Sequence, residues 1–279
     1  MKIIYKITIL LLIFSGIASY SFAQKLQVKI LCWNIRAFEG DENKPEEIFK
    51  LEPFIKFIKK HNPDIIGIQE LETHTSRQNS KELMTALAAE LGMYPQFGFS
   101  YIADEGSDGL YGNGILSKFP IMSTHSEEIP WQRNQADPRS VQWADILVPH
   151  GEQTTTIRII NTHIDHKTSG RSASMRWLRT NFCETTDLPA LVMGDLNEGV
   201  WGSFYKDQIA AHFNLFDPAL WPDKTDNVGG HLTTFIGNKL DYVLGYPKGT
   251  WTPISYDVDY SSGNLSDHYP IIVTLELNK

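Results

Sequence analysis

Four short stretches of the sequence end in polar residues that a packed core does not require. They are CWNI around Asn34, IQE ending at Glu70, GDLN from Gly194 to Asn197, and SDH from Ser266 to His268. His163 in NTHIDH and Asp241 in KLDYVL also lie at the borders of apolar runs. Together they offer four carboxylates (Glu70, Asp195, Asp241, Asp267), two imidazoles and two amides (Asn34, Asn197). No cysteine stands among them, and the chain has no Gly-x-Ser-x-Gly elbow for a nucleophilic serine. An oxygen-rich, thiol-free set suits a hard cation, Mg²⁺ or Mn²⁺, that keeps some of its waters. Carboxylates so close repel one another unless a cation or an imidazolium lies among them. A cation with waters, a base and amide donors is a setting for attack by water on a phosphoryl group.

Roles follow from chemistry. Glu70 is the best single metal ligand, and Asn34 can add a neutral oxygen. Asp195 can hold or deprotonate the attacking water, and Asn197 can donate its NH₂ to a phosphate oxygen. His163 can donate to a phosphate oxygen too. His268 can act as base or stabilise developing charge, and it needs a carboxylate to fix its tautomer; Asp241 is assigned that task. Each motif alone has a plainer reading. Asp-x-Asn after a strand is often a helix cap or Asx turn, and Gly112-Asn113-Gly114 reads as a turn. The ordered set points to a site.

The site needs elements that bring these stretches together. Alternation and Val/Ile/Leu enrichment predict strands over 26–35, 65–68, 97–101, 113–117, 141–148, 154–160, 190–193, 240–244 and 269–277. Helices are predicted over 53–60 with Pro53 as its first residue, 80–91 capped by Ser80 and closed by Gly92, 171–183 and 200–213. Residues 124–139 read as irregular. Helices interleaved with strands, some strands joined directly, imply an α/β fold with mixed sheets. Asn34, Glu70, His163 and Asp195 fall at strand ends, whereas Asp241 and Asp267 fall at strand starts. If the second group runs antiparallel to the first, all six meet at one sheet edge.

Whole-chain properties narrow the class. The 279 residues are 42% hydrophobic and 21% charged, enough for a sizeable core without disulfides. Lys2, Lys6, an apolar run over 7–18 and Ser21-Phe22-Ala23 before Gln24 form a secretory signal peptide over 1–23, so an exported (periplasmic or extracellular) protein is expected. Residues 24–279 then form one domain with no transmembrane segment, and no protein partner is implied. Loss of Lys2 and Lys6 takes the formal charge from −8 to −10. That balance argues against wholesale nucleic-acid binding. Cys32 and Cys183 lie in an apolar strand and a helix and read as two buried thiols.

CWNI, PDIIGIQE, YGNGILSKFP, NTHIDH, VMGDLN, KLDYVL and SDHYPI, in this order, resemble the endonuclease/exonuclease/phosphatase superfamily, the DNase I-like fold. The resemblance covers residues 28–277. It implies a four-layer α/β sandwich: two mixed sheets face to face with helices outside, and Mg²⁺-dependent hydrolysis of phosphate esters. It places Asn34, Glu70 and Asp267 at the metal, and His163, Asp195, Asn197 and His268 around the scissile phosphate, with Asp241 supporting the histidine. It leaves open which group activates the water. Arg36 stands where abasic-site endonucleases of this fold tend to carry an acid, which argues against DNA repair. Asn113, His166 and Arg171 are expected to contact substrate, with Lys167, Arg176 and Arg179 extending a basic helix edge. Trp131, Trp201, Trp221 and Trp251 could line the mouth or pack inside. Asn264-Leu265-Ser266 matches a glycosylation sequon, discounted because it abuts the site. The expected activity is an exported phosphoesterase acting on a small-molecule or lipid-headgroup mono- or diester. A secreted nuclease and an inactive binding module of the same fold are the alternatives.

Overall fold

The apolar runs pair into two sheets of six strands each. In chain order the strands are β1 Gln27–Asn34, β2 Ile65–Thr73, β3 Tyr94–Ile102, β4 Leu110–Ser117, β5 Ile121–Glu128, β6 Ser140–His150, β7 Gln153–His163, β8 Ala190–Asp195, β9 Asn214–Leu215, β10 Asp241–Tyr246, β11 Trp251–Val258 and β12 Ile271–Leu277. One sheet has the order β11-β12-β1-β2-β4-β3 and the other β5-β6-β7-β8-β10-β9. Each is mixed: β1–β2 and β7–β8 are the parallel pairs, and the remaining pairs are antiparallel. The computed structural model describes residues 24–41, 43, 49–104, 108–130, 138–220 and 231–278. The expected leader, Trp131 and Trp221 lie outside the described residues. Among these residues no helix is long and apolar enough to cross a membrane.

Alternation along each strand sorts the side chains into layers. Val28, Ile30 and Cys32 of β1 face Ile159, Leu191 and Met193 of the opposite sheet in the central core. The other β1 face, Leu31 and Trp33, packs under α1 (Leu51–His61) and α2 (Leu83–Leu91). Trp33 lies 5.2 Å from Phe54 and 5.1 Å from Phe57, ring centre to ring centre. Burying each such side chain stabilises the fold by about 1.5–3 kcal/mol. On the far side, α3 (Thr168–Leu178) and the π-helical turns Arg179–Cys183 and Tyr205–Ala210 cover the second sheet. The result is helices, sheet, sheet, helices, the expected four-layer α/β sandwich. Gly67 lets the sheets approach under the site, since a Cβ there would lie 2.6 Å from Met193 Sδ and Cε.

Several boundaries differ from the sequence expectation. α2 starts at Leu83 with Glu82 accepting from the Thr85 amide, while Ser80 is left-handed (φ 52°) and caps nothing. Gly92 closes α2 in the left-handed region as expected. Pro53 is the third residue of α1 rather than the first. The helix predicted over 200–213 is a helical turn running into the short π segment. β5 lies where an irregular segment was expected, and β11 was not anticipated. β2 does not end at Glu70 but continues to Thr73 through a bulge. Cys32 and Cys183 are free and buried.

Candidate active site

Register alone assembles the centre. In the parallel β7–β8 pair His163 stands opposite Asp195, and in the antiparallel β8–β10 pair Asp195 stands opposite Asp241. β1 and β2 bring Asn34 opposite Gln69, and β12 runs antiparallel to β1, so Asp267 and His268 enter at the same edge. The proposed meeting of strand ends with strand starts is therefore realised.

Local devices aim the side chains. The β2–β4 register shifts between Ile68 and Leu71, and Glu70 sits in that bulge with φ 57°. The bulge leaves carbonyls of both strands to be satisfied from outside the ladder. Asn161 of the opposite sheet does so: its Nδ2 donates to Ile68 O and Gly114 O, both at 2.9 Å, and its Oδ1 accepts from Gln69 Nε2 at 2.7 Å. Gly194, before Asp195, has φ 145°, and a Cβ there would lie 1.9 Å from Thr162 O, so only glycine fits. Asp195 Oδ1 accepts from the Asn197 amide at 2.8 Å, an Asx turn that doubles as site geometry. Ser266 Oγ donates to Asn34 O at 2.7 Å and accepts from His268 N at 3.1 Å, and Trp33 Nε1 donates to His268 O at 2.9 Å. Behind Asp241, buried Lys239 contacts Asp217 Oδ2 at 3.2 Å and Tyr256 Oη at 3.0 Å, which anchors the start of β10.

Asp195 Oδ2 is the hub. It accepts from Asn34 Nδ2 at 3.1 Å and lies 3.4 Å from His163 Nε2 and 3.7 Å from His268 Nε2. Burial, with the neighbouring Asp241 carboxylate, raises Asp195 to about 7. His268 Nδ1 meets Asp241 Oδ2 at 2.8 Å. Burial works against a charged His268, but Asp241, aided by Asp195 and Asp267, outweighs it and lifts the ring to about 10. The imidazolium is thus the favoured form. His163 goes the other way: burial, then the positive charge of Arg139, holds it well below its ordinary value and neutral.

Arg139 was not anticipated. It is buried, and its Nη1 lies 3.0 Å from His163 Nδ1. A guanidinium can only donate, so Nδ1 accepts and Nε2 carries the ring proton. That Nε2 lies 3.0 Å from Asn197 Nδ2, whose nitrogen is fixed by donation to Ile164 O at 2.8 Å. Two donors facing one point, with an imidazolium nearby, suit an anionic oxygen. An arginine just ahead of the apolar run of β6 was the signal available in the sequence.

Asn34 departs from its expected role. Its Oδ1 accepts from the Arg36 amide at 3.1 Å, so its nitrogen faces Glu70 Oε1 (3.0 Å) and Asp195. In these contacts it supports Glu70 through its nitrogen. Arg171 is buried and bonded to Asn197 O and to Glu198 Oε2 (3.0 Å), so it braces the Asn197 turn instead of reaching substrate. Asn113 is buried too, with its Nδ2 3.4 Å from Ser140 O and Oγ, so the sheet rather than a ligand uses it. His166 is exposed and pairs with Asp165 Oδ1 at 3.3 Å; it meets none of the central residues among the described contacts. Trp251 is core, and Trp201 is exposed at 65%.

Asp195, Asp241 and His268 offer ligand atoms within 4.8 Å of one another. Asp241 already holds Nδ1 of His268 at 2.8 Å, a contact that suits these three to handling a proton. Glu70 is better suited to a cation. Burial raises its carboxyl above the ordinary range, and among the described residues it has no Lys or Arg ion pair. Asp267 lies on the same edge. Four carboxylates and no thiol fit a hard divalent ion.

A model of the Endonuclease/Exonuclease/phosphatase family matches residues 31–268. The chain belongs to the endonuclease/exonuclease/phosphatase family. The DNase I-like sandwich recurs in similar solved structures. The human Nocturnin catalytic domain with bound sulfate has a TM-score of 0.70 at 20% identity, over 90% of this chain and 94% of that one. A Beutenbergia cavernae endonuclease/exonuclease/phosphatase has a TM-score of 0.69 at 15% identity, over 90% and 72%. A mannosyl-6-phosphatase from Bacteroides thetaiotaomicron has a TM-score of 0.60 at 15% identity, over 89% and 99%. At these identities the likeness establishes the fold alone. A search of curated proteins returns no match. Members of this family hydrolyse phosphoesters, generally with a divalent metal, so the chain is a hydrolase of that class.

Proposed function

We propose that this protein is an exported, Mg²⁺- or Mn²⁺-dependent phosphoesterase that cleaves a phosphate mono- or diester by direct attack of water. The observation that carries this reading is the convergence of His163 Nε2–H, Asn197 Nδ2 and the His268 imidazolium beside the Asp195 carboxylate. Donors that meet there bind the oxygens of a phosphoryl group and stabilise charge that grows on them. Asp195, raised to about 7, is a base matched to neutral pH; it orients a water and takes its proton. Asp241 keeps His268 charged and fixes its ring. Asn34 holds Glu70 and Asp195 apart and in register. Glu70 and Asp267 would hold the cation, which supplies Lewis-acid polarisation of the phosphoryl oxygens when bound. The leader over 1–23 supports export.

Hydrolysis of aryl phosphate mono- and diesters, hexose phosphates and plasmid DNA, each with Mg²⁺ or Mn²⁺ and with excess EDTA, tests the reading. Activity should vanish in EDTA and return with the metal. His268→Ala and Asp195→Asn should each lose on the order of a hundredfold or more in kcat. Full activity in EDTA, or mild losses in both variants, would refute it.

A further inference from the structure

A recess of about 250 Å³ opens directly off the catalytic edge and shares Asp267 with it. Arg36, Asp41 and Asn43 from the segment after β1 form one side. Asn264 and Asp267, ahead of β12, form another, and Phe235 closes the third. Its position is fixed by the catalytic strand entry: Phe235 N donates to Asp267 O at 3.1 Å, and Thr234 bridges to His268. The Phe235 ring rests 4.9 Å from the Tyr269 ring and is still 42% exposed, so it is supported yet open to a ligand. Asn264 Nδ2 lies 3.4 Å from Asp41 Oδ1, which ties the two polar walls together.

We infer that this recess receives the alcohol portion of the substrate, and that this portion is a neutral polyhydroxyl group, so the natural substrate is a phosphate monoester of a sugar or polyol. The inference rests on the phosphoesterase reading. Three features of the lining lead to it. The two amides both donate and accept, and the two carboxylates accept, which matches hydroxyls that do both. One aromatic wall suits the C–H face of a sugar ring. The lining disfavours a second phosphate: the Asp41 side chain is acidic, and Arg36 Nε is held by Glu39 at 2.8 Å. A nucleic-acid backbone running through this recess would meet the Asp41 carboxylate. An acyl chain would meet polar side chains on every wall but that of Phe235. The volume lies below the roughly 300–1,000 Å³ of pockets that take drug-sized ligands, so it admits one ring-sized group. The reaction balances as hydrolysis: the water oxygen bonds to phosphorus, the P–O bond to the sugar oxygen breaks, and the alcohol leaves protonated with inorganic phosphate as co-product.

Steady-state kinetics of the full chain with Mg²⁺ test this. The esters are glucose 6-phosphate, mannose 6-phosphate, glycerol 3-phosphate, adenosine 5′-monophosphate, p-nitrophenyl phosphate and a short single-stranded oligonucleotide. At least one sugar or polyol phosphate should exceed p-nitrophenyl phosphate tenfold in kcat/KM, despite the poorer leaving group. The double variant Asn43→Ala/Asn264→Ala should raise KM for that ester tenfold or more with kcat within twofold. It should leave p-nitrophenyl phosphate within twofold in both constants. Calorimetric binding of the same sugar phosphate to Asp195→Asn should weaken tenfold on adding Phe235→Ala. The inference is overturned if the nucleotide or oligonucleotide is preferred, if the double variant moves both esters equally, or if neither variant moves the sugar ester. Metal-dependent cleavage of aryl phosphate with any of these results overturns the recess alone; no cleavage of any ester, with Mg²⁺ or Mn²⁺, overturns the phosphoesterase reading with it.

Discussion

Asp267 and His268 are adjacent in sequence yet serve different parts of the site. The first faces the open edge with Glu70; the second is buried against Asp241, 2.8 Å away. The pair was legible in the sequence, but its division was not: β12 starts only at Ile271, and the bend over 266–267 and the bridge of His268 to Thr234 set the two side chains apart. The partner Asp241 was legible as well. What the sequence hid was direction: Asn34 presents nitrogen rather than oxygen because the Arg36 amide takes its Oδ1. Arg171 and Asn113 read as substrate contacts only because burial cannot be seen in residue type. The charge states lead to a pH prediction. Asp195 acts when ionised, so activity is lost as pH falls through an acid limb at or below about 7, since a bound cation can only lower a carboxylate. His268 acts when protonated, so activity is lost as pH rises through about 10. The kcat/KM profile should be a bell with those limbs. Asp241→Asn should move the alkaline limb to lower pH, because the carboxylate that holds the proton is gone. An alkaline limb unchanged in Asp241→Asn would show that His268 is not the group titrating there.

At the scale of elements, the central strands were plain and the edge strands were not. β1, β8 and β12 are buried on both faces or nearly so, and their Val/Ile/Leu runs announce them. β5 and β11 lie at sheet edges, are mostly solvent-facing, and carry His-Ser-Glu-Glu or an internal proline, so neither hydrophobic period nor propensity marks them. The bulge at Glu70 was equally silent, since its cause lies in the other sheet. Asn161 crosses the sandwich to bond Gln69, Ile68 O and Gly114 O. Asn-Thr-His therefore serves two places in three residues: His163 stands beside Asp195, and Asn161 holds the turn that aims Glu70. Asn161→Leu takes their side-chain donor from two buried carbonyls, Ile68 O and Gly114 O, at about 1–3 kcal/mol each, and leaves Gln69 Nε2 only its weak contact to Cys32 Sγ. Urea unfolding should show a loss on the order of 2 kcal/mol or more. The folded fraction should bind Mg²⁺ less tightly, because Glu70 loses its support. Unchanged Mg²⁺ affinity in a folded Asn161→Leu protein would mean that the bulge stands without the amide.

For the whole molecule, the site works against stability until it binds a cation. Glu70, Asp195, Asp241 and Asp267 converge, and their charge is opposed chiefly by His268 and by Arg139. Burial penalises ionised Glu70 and Asp195, and repulsion from their neighbouring carboxylates adds to it. A divalent ion that binds the folded chain and not the unfolded one returns stability by mass action, about 2.7 kcal/mol at a hundredfold excess over Kd. For a domain of this size that is a rise in Tm of roughly 5–10 °C. Thermal unfolding should therefore shift upward with millimolar Mg²⁺ or Mn²⁺ and return to baseline in EDTA, with no substrate present. Glu70→Gln separates this cause from general salt effects. The substitution removes one half-buried negative charge from among neighbouring carboxylates, so the metal-free variant should melt at or above the metal-free parent. It also removes the principal ligand, so its Tm should stay flat as Mg²⁺ is added. Two results would break the argument: a metal-free Glu70→Gln protein that melts well below its parent, or a variant that gains as much from Mg²⁺ as the parent does. The first would make the Glu70 contact to Asn34 a net support of the fold, and the second would move the cation away from β2.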